Sequence, residues 1–294
     1  MSPRVHDYLR SCLGINLAQG YGLTETVGGV TLSTAEDLSS GRVGQALPGV
    51  RIKLQDWDEG GYKVFDQTGH GPRGEILIGG PMISSGYYNL REKTAESFII
   101  DPYDGLQWFK TGDIGQLDPN DGALKLIDRK KDLVKLQMGE YLSLGKVEAW
   151  LKIHPLVDSI CIIADTSKSY CIALIVPDSG KLSELAKSRN ICSSTYADLC
   201  LHPDIIGIMT QQIQEHGNLH LTKFEIPKRI ALLSEQWTPD IGLVTAAMKL
   251  KRKPIFEKYD WLIRELYNDE KYETISGEEH NYGTDQSLAK MKHA

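Results

Sequence analysis

The sequence is poor in the features that build disulfide frameworks, zinc sites and membrane spans. Its 294 residues include five cysteines, none of them in a Cys-x-x-Cys pair, so neither a disulfide scaffold nor a zinc site is indicated. The longest apolar runs, ICIIA and CIALIV, are strand-length and too short to cross a bilayer. The first residues, MSPRVHDYLR, lack the apolar region of a secretory signal. Any membrane contact is expected to be peripheral or to involve residues outside this chain.

The sequence also has fewer basic than acidic residues, 33 against 39. The net charge is −6, so there is no overall positive field of the kind that attracts nucleic acid. Two local clusters are basic, DRKKDLVK at 128–135 and KLKRK at 249–253. Clusters of this size are typical of solvated surfaces, and a nuclear-localisation or nucleic-acid patch is the weaker alternative for the second. We therefore expect no nucleic-acid partner.

Several catalytic motifs are missing. The sequence has no G-x-x-x-x-G-K-[ST] phosphate loop, so a P-loop nucleotidase is not supported. Its G-x-G-x-x-G match, GHGPRG at 69–74, leads into a predicted strand and not into a helix, so a dinucleotide fold is not supported either. It has no H-E-x-x-H and no G-x-S-x-G, and its eight histidines show no ligand spacing. Zinc peptidases and α/β-hydrolases are therefore not indicated.

The hydrophobic pattern changes along the chain. Short apolar or alternating runs between turn residues predict strands at 50–57, 62–66, 74–80 and 123–128. After Arg129 strands alternate with amphipathic helices, the last of which begins near Pro254. The fold class predicted is α/β (mixed α+β), with a β-rich piece over 1–128 and an α/β domain over 129–267. The polar, aperiodic tail 268–294 is expected to be disordered.

The segment GYGLTET (20–26) is neither an ordinary helix nor an ordinary strand. Gly20 and Gly22 flank Tyr21, and glycine allows close approach of the backbone. Thr24 and Glu25 follow, and a hydroxyl with a carboxylate could meet phosphate oxygens and a divalent cation. On these residues alone, an ordinary glycine-rich loop explains the pattern equally well.

Four stretches occur in a distinctive order: GYGLTET (20–26), GEILIGGPMISSGYY (74–88), WFKTGDIG with DRKKDLVKLQMGEYLSLGKVE (108–148), and TPDIGLVTAAMKLKRK (238–253). Together they resemble the adenylate-forming superfamily of acyl-CoA synthetases, luciferases and related ligases. More narrowly, the chain resembles a eukaryotic long-chain fatty-acid–CoA ligase, closest to the animal subtypes that favour polyunsaturated acyl chains. The resemblance extends over residues 1–267.

The resemblance implies roles for the first stretch. Tyr21, between Gly20 and Gly22, matches the aromatic residue that stacks on adenine. Thr24 matches the hydroxyl that contacts the α-phosphate, and Glu25 matches the carboxylate that holds Mg²⁺. A solvated loop acid is the plain alternative for Glu25.

The resemblance also implies roles beside the domain boundary. Asp113 matches the acid that accepts both ribose hydroxyls, and Arg129 matches its partner on the same ribose. A simple turn aspartate is the alternative for Asp113. Lys131 matches the hinge about which a small C-terminal lid domain turns. Tyr87 of SGYY is interpreted as a packing aromatic and is left out of the predicted site.

Three further residues are implied on the lid. Lys249 matches the lysine that meets the carboxylate and the α-phosphate during adenylation, where its charge offsets the repulsion between two anions. Lys135 and Gly139 match the strand and turn that face the pantetheine arm when the thioester forms.

The implied reaction is ATP-dependent activation of a long-chain fatty acid through an acyl-adenylate, followed by transfer to coenzyme A. Its substrates and cofactors are a fatty acid, ATP, Mg²⁺ and coenzyme A. Only 19 residues precede GYGLTET, so the family's phosphate loop, its acyl channel and any membrane anchor are expected upstream. The chain is therefore interpreted as the C-terminal part of such an enzyme, with little fatty-acid activation on its own.

Two alternatives remain open. The chain could belong to a ligase for another carboxylic acid, or it could act as a non-catalytic, regulatory fragment that binds the intact enzyme or the missing N-terminal part. Family members lie on the cytosolic face of the endoplasmic reticulum, the mitochondrial outer membrane, peroxisomes or lipid droplets. One of these locations is expected for the parent enzyme, with peripheral membrane association.

Overall fold

The computed structural model describes residues 3–34, 36–65 and 71–268. The predicted mixed α/β class is confirmed by the order of its helices and strands. The chain divides into two compact units, Met1–Leu133 (unit 1) and Val134–Ala294 (unit 2). The division falls after Leu133, whereas the sequence pattern changes near residue 128. The interpretation of the two pieces as part of a large domain and a lid stays a prediction. Nearly all of the tail predicted to be disordered lies outside the described residues.

The described part of unit 1 is rich in strands. Its helices are α1 (Pro3–Leu13) and α2 (Arg91–Ser97). Its strands are β1 (Gly20–Leu23), β2 (Gly28–Leu32), β3 (Gln45–Ala46), β4 (Arg51–Gln55), β5 (Arg73–Gly79), β6 (Phe98–Ile100), β7 (Gln107–Leu117) and β8 (Leu124–Arg129). One antiparallel sheet has the order β1-β2-β3. The other has the order β4-β5-β7-β6, and β8 pairs with β7.

A small apolar core lies in unit 1. Tyr21 and Val30 of the first sheet are buried with Ile76, Ile78 and Leu124 of the second. The apolar side chains of β5 at 76 and 78 point the same way because strand residues alternate between faces. This core brings the GYGLTET segment against the larger sheet.

Unit 2 alternates strands with helices. Its strands are β9 (Leu133–Lys135, which begins at the last residue of unit 1), β10 (Tyr141–Ser143), β11 (Val157–Ala164), β12 (Cys171–Pro177) and β13 (Arg229–Leu232). Its helices are α3 (Leu144–Leu151), α4 (Ser179–Ser188), α5 (Tyr196–Leu201), α6 (Pro203–Asn218) and α7 (Arg252–Tyr267). Strand β12 is central, antiparallel to β11 and parallel to β13. Strand β9 pairs with β10.

The two faces of the β11-β12-β13 sheet support separate cores. On β12, Ala173 and Ile175 pack with α3, α4 and α6, whereas Ile172 and Leu174 pack with α7. Burial on both faces explains why β12 is a continuous apolar run instead of an alternating one. Helix α3 begins after Ser143, because the Ser143 hydroxyl accepts from the Lys146 N–H at 3.2 Å.

Several local predictions differ from the structure. The predicted strand at 62–66 forms only a bridge between Tyr62 and Trp57 in its described residues, because a left-handed Gly61 closes a tight turn there. Helices α1, α2 and α5 were not predicted, since each is short or lacks a clear apolar period. No helix in the described ranges is long and apolar enough to cross a membrane.

An ion-pair network closes the loop that follows β2. The Arg42 guanidinium donates twice to Asp37 at 2.9 Å and once to Asp121 at 2.8 Å. Hydrogen bonding by Arg42 lowers the pKa of Asp37 to about 2. Because the folded-state pKa lies below the unfolded one, the pair stabilises the fold above about pH 4 and loses its effect as the pH falls towards 2.

We expect Arg42→Met to lower the free energy of unfolding by about 1 kcal/mol at pH 7, a modest value because the pair is partly solvated. Urea unfolding of both proteins at several pH values between 7 and 3 measures the difference. The difference should shrink below about pH 4, where Asp37 begins to protonate in the unfolded chain. A difference that stays constant with pH would contradict the assignment to the ion pair.

Candidate nucleotide site

Gly22 allows two backbone segments of the GYGLTET loop to approach closely. A Cβ at residue 22 would lie 2.0 Å from the carbonyl oxygen of Gly28. Strands β1 and β2 pair with an irregularity between Tyr21 and Gly22, which turns the chain after the aromatic residue. Gly20 also lies against β2, since a Cβ there would be 3.0 Å from the Thr31 carbonyl oxygen. Packing therefore requires glycine at position 22, and a side chain at position 20 would be tight against β2.

Thr26 organises the turn, a role that the sequence interpretation missed. Its buried hydroxyl accepts from the Leu23 N–H at 3.0 Å and shares its hydrogen between the carbonyl oxygens of Leu23 and Gly28, at 2.9 and 2.8 Å. The 3-10 turn Thr24–Thr26 is closed in this way. Thr24 is left exposed and Glu25 half-buried. A second hydroxyl immediately after the T-E pair was the available signal.

The Glu25 carboxylate is oriented by Tyr87. The Tyr87 hydroxyl donates to Oε1 of Glu25 at 2.7 Å, and the Ser84 N–H donates to the Glu25 carbonyl oxygen at 2.9 Å. Burial and this carboxylate raise the pKa of Tyr87, which keeps its hydroxyl protonated. Tyr87 does pack, edge to face on Phe98, but its interpretation as only a packing aromatic is incomplete. Its position within a quoted motif was the signal that could have found it.

Asp113 is the centre of a second group of predicted residues. It is 4% exposed. Its Oδ2 accepts the Tyr21 hydroxyl at 2.6 Å, and its Oδ1 accepts Nε of Arg129 at 2.8 Å. Asp113 lies within β7 and Arg129 is its pairing partner on β8, so the alternative of a simple turn aspartate does not describe it. The structure thus joins Tyr21, Asp113 and Arg129.

Burial sets the protonation of this group. Burial, and then the Asp113 carboxylate, raise the pKa of Tyr21 far above its usual range. Tyr21 therefore stays a donor, and Asp113 accepts on both oxygens. A carboxylate has about four acceptor sites, so Asp113 retains the capacity to accept two further hydroxyl groups. Tyr21 is 8% exposed, and its stacking on adenine remains a prediction.

The predicted hinge, Lys131, lies in the 3-10 turn Lys130–Asp132 that follows β8. Its side chain is exposed. Lys131 lies two residues after Arg129, near the end of unit 1. Its role as a hinge stays a prediction.

Lys135 and Gly139 lie at the two sides of a tight turn in unit 2. The Gly139 N–H donates to the Leu136 carbonyl at 2.9 Å, and the Leu136 N–H donates to the Glu140 carbonyl at 2.8 Å. Gly139 has φ +95 and open space where a side chain would project. The turn is exposed, and the absence of a side chain at Gly139 leaves room for an extended ligand to approach the backbone.

Lys249 lies at the end of a small hairpin in unit 2. Val244 and Leu250 form a bridge, and Thr245 accepts the Lys249 N–H on its hydroxyl at 3.1 Å. Met248, the preceding residue, has φ +57. The Lys249 side chain is exposed.

An ion pair anchors the chain just after this hairpin. Arg252 donates to both oxygens of Glu148 at 2.9 Å and to the Ile162 carbonyl at 3.2 Å. The two-pronged pairing fixes the direction in which α7 leaves the hairpin. The position of Lys249 is thereby tied to the core of unit 2.

Known proteins match this arrangement. The AMP-binding enzyme family matches residues 1–88. Long chain acyl-CoA synthetase 8 of Arabidopsis thaliana is 47% identical over 91% of this chain and 37% of its own length. These two matches confirm the resemblance to acyl-CoA synthetases that the sequence motifs indicated.

Two further similar proteins are informative. Long-chain-fatty-acid–CoA ligase 6 of Homo sapiens is 36% identical over 91% of this chain and 37% of that protein. The adenylation domain of a carboxylate reductase from Mycobacterium chelonae superposes with a TM-score of 0.73 at 31% identity, over 92% of this chain and 37% of that one. The chain thus spans about 37% of the length of these relatives. The plant synthetase is more similar than the human ligase, so the predicted animal subtype is not specifically supported.

Replacement of Gly22 tests the close backbone approach. We expect Gly22→Ala to destabilise unit 1 by about 1–3 kcal/mol, because the added methyl group overlaps the Gly28 carbonyl. Gly29→Ala is the matched control, since a Cβ there meets only Leu47 at 4.0 Å. Urea unfolding of both variants measures the difference, and equal stabilities would contradict the packing argument.

Proposed function

We propose that the chain forms part of an ATP-dependent long-chain fatty-acid–CoA ligase. The observation that supports this most is the joining of Tyr21, Asp113 and Arg129 beside the GYGLTET loop. A buried carboxylate with remaining acceptor capacity, next to an arginine, suits the adjacent hydroxyls of a ribose. Similarity to plant and human long-chain acyl-CoA synthetases supports the fatty-acid substrate.

The proposed roles in unit 1 follow from position. Asp113 and Arg129 bind the ribose, Tyr21 contacts the adenine, and Thr24 presents its exposed hydroxyl to the α-phosphate. Glu25 fits a magnesium ion, because Mg²⁺ is commonly held by one or two carboxylates together with phosphate oxygens. No cluster of three or more metal-ligating side chains occurs in the described residues, so the nucleotide would supply the remaining ligands. Bound there, the ion would offset phosphate charge.

The proposed roles in unit 2 concern the two half-reactions. Lys249 offsets the charge of the fatty-acid carboxylate and the α-phosphate while the adenylate forms. Rotation about Lys131 then replaces Lys249 with the turn of Lys135 and Gly139, which admits the pantetheine arm of coenzyme A. The anchored hairpin of Lys249 supports this proposal, because a charge that must meet two anions needs a defined position.

A second candidate is activation of a different carboxylic acid. The adenylation domain of a carboxylic acid reductase from Segniliparus rugosus, in complex with AMP and a co-purified carboxylic acid, is 28% identical to this chain. The nucleotide site would be unchanged in that case, and only the acid would differ. Association with the cytosolic face of the endoplasmic reticulum, mitochondria, peroxisomes or lipid droplets is proposed on similarity alone. One relative is named as peroxisomal.

Nucleotide binding by the purified chain tests the proposal directly. We expect titration calorimetry to detect AMP, and Asp113→Asn to weaken its binding about ten-fold, since a charged acceptor of ribose hydroxyls is lost. Asp118→Asn, at the partly buried start of the turn after β7, is the control. The nucleotide role of unit 1 is wrong if AMP fails to bind or if both variants bind it equally.

Tyr87 provides a test of the metal position. We expect Tyr87→Phe to weaken Mn²⁺ binding in the presence of ATP by about ten-fold, because a partner that orients a ligating carboxylate is lost. Paramagnetic resonance of free Mn²⁺ measures this without any turnover. Tyr88→Phe is a matched control, since Tyr88 is 92% exposed. If Glu25→Gln has no effect, then Glu25 is not the ligand.

A further inference from the structure

Strand β7 is distorted where it presents Asp113. Glu75 of β5 pairs with Ile114, and Leu77 pairs with Lys110. One residue of β5 therefore lies opposite three of β7, Thr111 to Asp113, which we call the 111–113 bulge. Its middle residue, Gly112, has φ +70. Bulges re-aim the side chains next to them, and here the re-aimed side chain is that of Asp113.

Two side chains hold the bulge in place. The Gly112 N–H donates to Oε1 of Glu75 at 3.2 Å. The Thr111 hydroxyl donates to the Ile76 carbonyl at 2.8 Å and accepts the Asp113 N–H at 3.0 Å. Glu75 is 7% exposed, so its carboxylate lies inside unit 1 directly beneath the bulge.

Lys130 neutralises this buried carboxylate. Its Nζ lies 3.0 Å from Oε2 of Glu75 and also faces the ring of Trp57, 5.3 Å from the ring centroid. A buried carboxylate needs such a partner, because an unpaired charge in the interior is costly. Lys130 directly follows Arg129, which donates to Asp113. One carboxylate thus contacts both the bulge and the segment that carries Arg129.

We propose that Glu75 and Lys130 are positioning residues that set the Asp113 carboxylate for a vicinal diol, the ribose 2′- and 3′-hydroxyls of an adenine nucleotide. The inference rests on the proposed nucleotide function of unit 1. Glu75 holds the bulge from below, and Lys130 holds Arg129 in register with it. Neither residue touches the ligand.

The alternative is that the ion pair only stabilises the fold. The two possibilities differ in what the ligand must contain. A purely structural pair would affect every nucleotide equally, whereas a pair that positions Asp113 would matter only for ligands with ribose hydroxyls. The 2′,3′-dideoxy form of AMP keeps the base and the phosphate but lacks both hydroxyls, so it separates the two.

The experiment compares AMP with 2′,3′-dideoxy-AMP by titration calorimetry on the full chain. Glu75→Gln keeps the shape and an acceptor for Gly112 but removes the charge that Lys130 pairs with. Glu225→Gln is the matched control, because Glu225 is 4% exposed and pairs with Lys146 at 2.6 Å within unit 2. Lys130→Met removes the positive charge that pairs with Glu75, and Lys130→Arg is the conservative variant that keeps this charge.

We expect Glu75→Gln and Lys130→Met to weaken AMP binding about five- to ten-fold, the effect of one mispositioned charged hydrogen bond, and to leave dideoxy-AMP unchanged. Lys130→Arg should retain most of the affinity, and Glu225→Gln should affect neither ligand. If Glu75→Gln fails to fold, Lys130→Met answers the same question, since that side chain is 32% exposed.

Equal weakening of both ligands, or no weakening of AMP, would overturn the positioning role while leaving the proposed function intact. Failure of the proposed function has a different signature. In that case the wild-type chain would bind AMP and dideoxy-AMP equally, or bind neither, and Asp113→Asn would change nothing. The positioning role would then fall with it.

Discussion

The candidate site depends on a single buried carboxylate, that of Asp113. Removing a carboxylate from water is costly unless its oxygens are paired, and here Tyr21 and Arg129 pair both of them. Each partner comes from a different part of unit 1: Tyr21 from the first sheet, and Arg129 from the end of β8. The electrostatic requirement of one side chain therefore links the glycine-rich loop, the large sheet and the segment that leads to unit 2.

The same kind of constraint operates elsewhere in the chain. Glu148 in unit 2 accepts both prongs of Arg252 and the Ile162 N–H, so one carboxylate ties a helix, a strand and the start of α7 together. In unit 1 the carboxylate at the junction is that of the predicted functional residue Asp113 itself. In unit 2 the predicted residue Lys249 lies just before Arg252, which pairs with Glu148. A substitution at either junction therefore changes both the folding of the segment and the position of the functional side chain that it carries.

The sequence predicted the helices and strands better than the side-chain contacts of the candidate site. The pattern of apolar residues predicted β5 and α7. A strand that is buried on both faces is a continuous apolar run, and a helix that is buried on one side has an apolar stripe at helical spacing. The pattern missed α2 and placed a strand at 62–66, since short segments follow their tertiary surroundings more than their own propensity. Motif resemblance named Tyr21, Asp113 and Arg129, and the structure brings them together.

What the motifs could not supply is the bonding between these residues. The Tyr21 hydroxyl bonds a residue 92 positions away, and no local pattern encodes such a distance. For the same reason Tyr87 was interpreted only as a packing aromatic, and Glu75 was not considered at all. Each resembles an ordinary strand or loop residue until the fold places it beside Glu25 or beneath Gly112.

The left-handed backbone at Met248 has a consequence for natural variation. Residues with a Cβ tolerate that conformation at some cost, glycine tolerates it freely, and β-branched residues tolerate it least. Backbone geometry, and not the chemistry of the exposed side chain, should therefore determine which residues are tolerated at position 248. Glycine in front of Lys249 would be an acceptable exchange, whereas valine or isoleucine would strain the turn that carries this lysine.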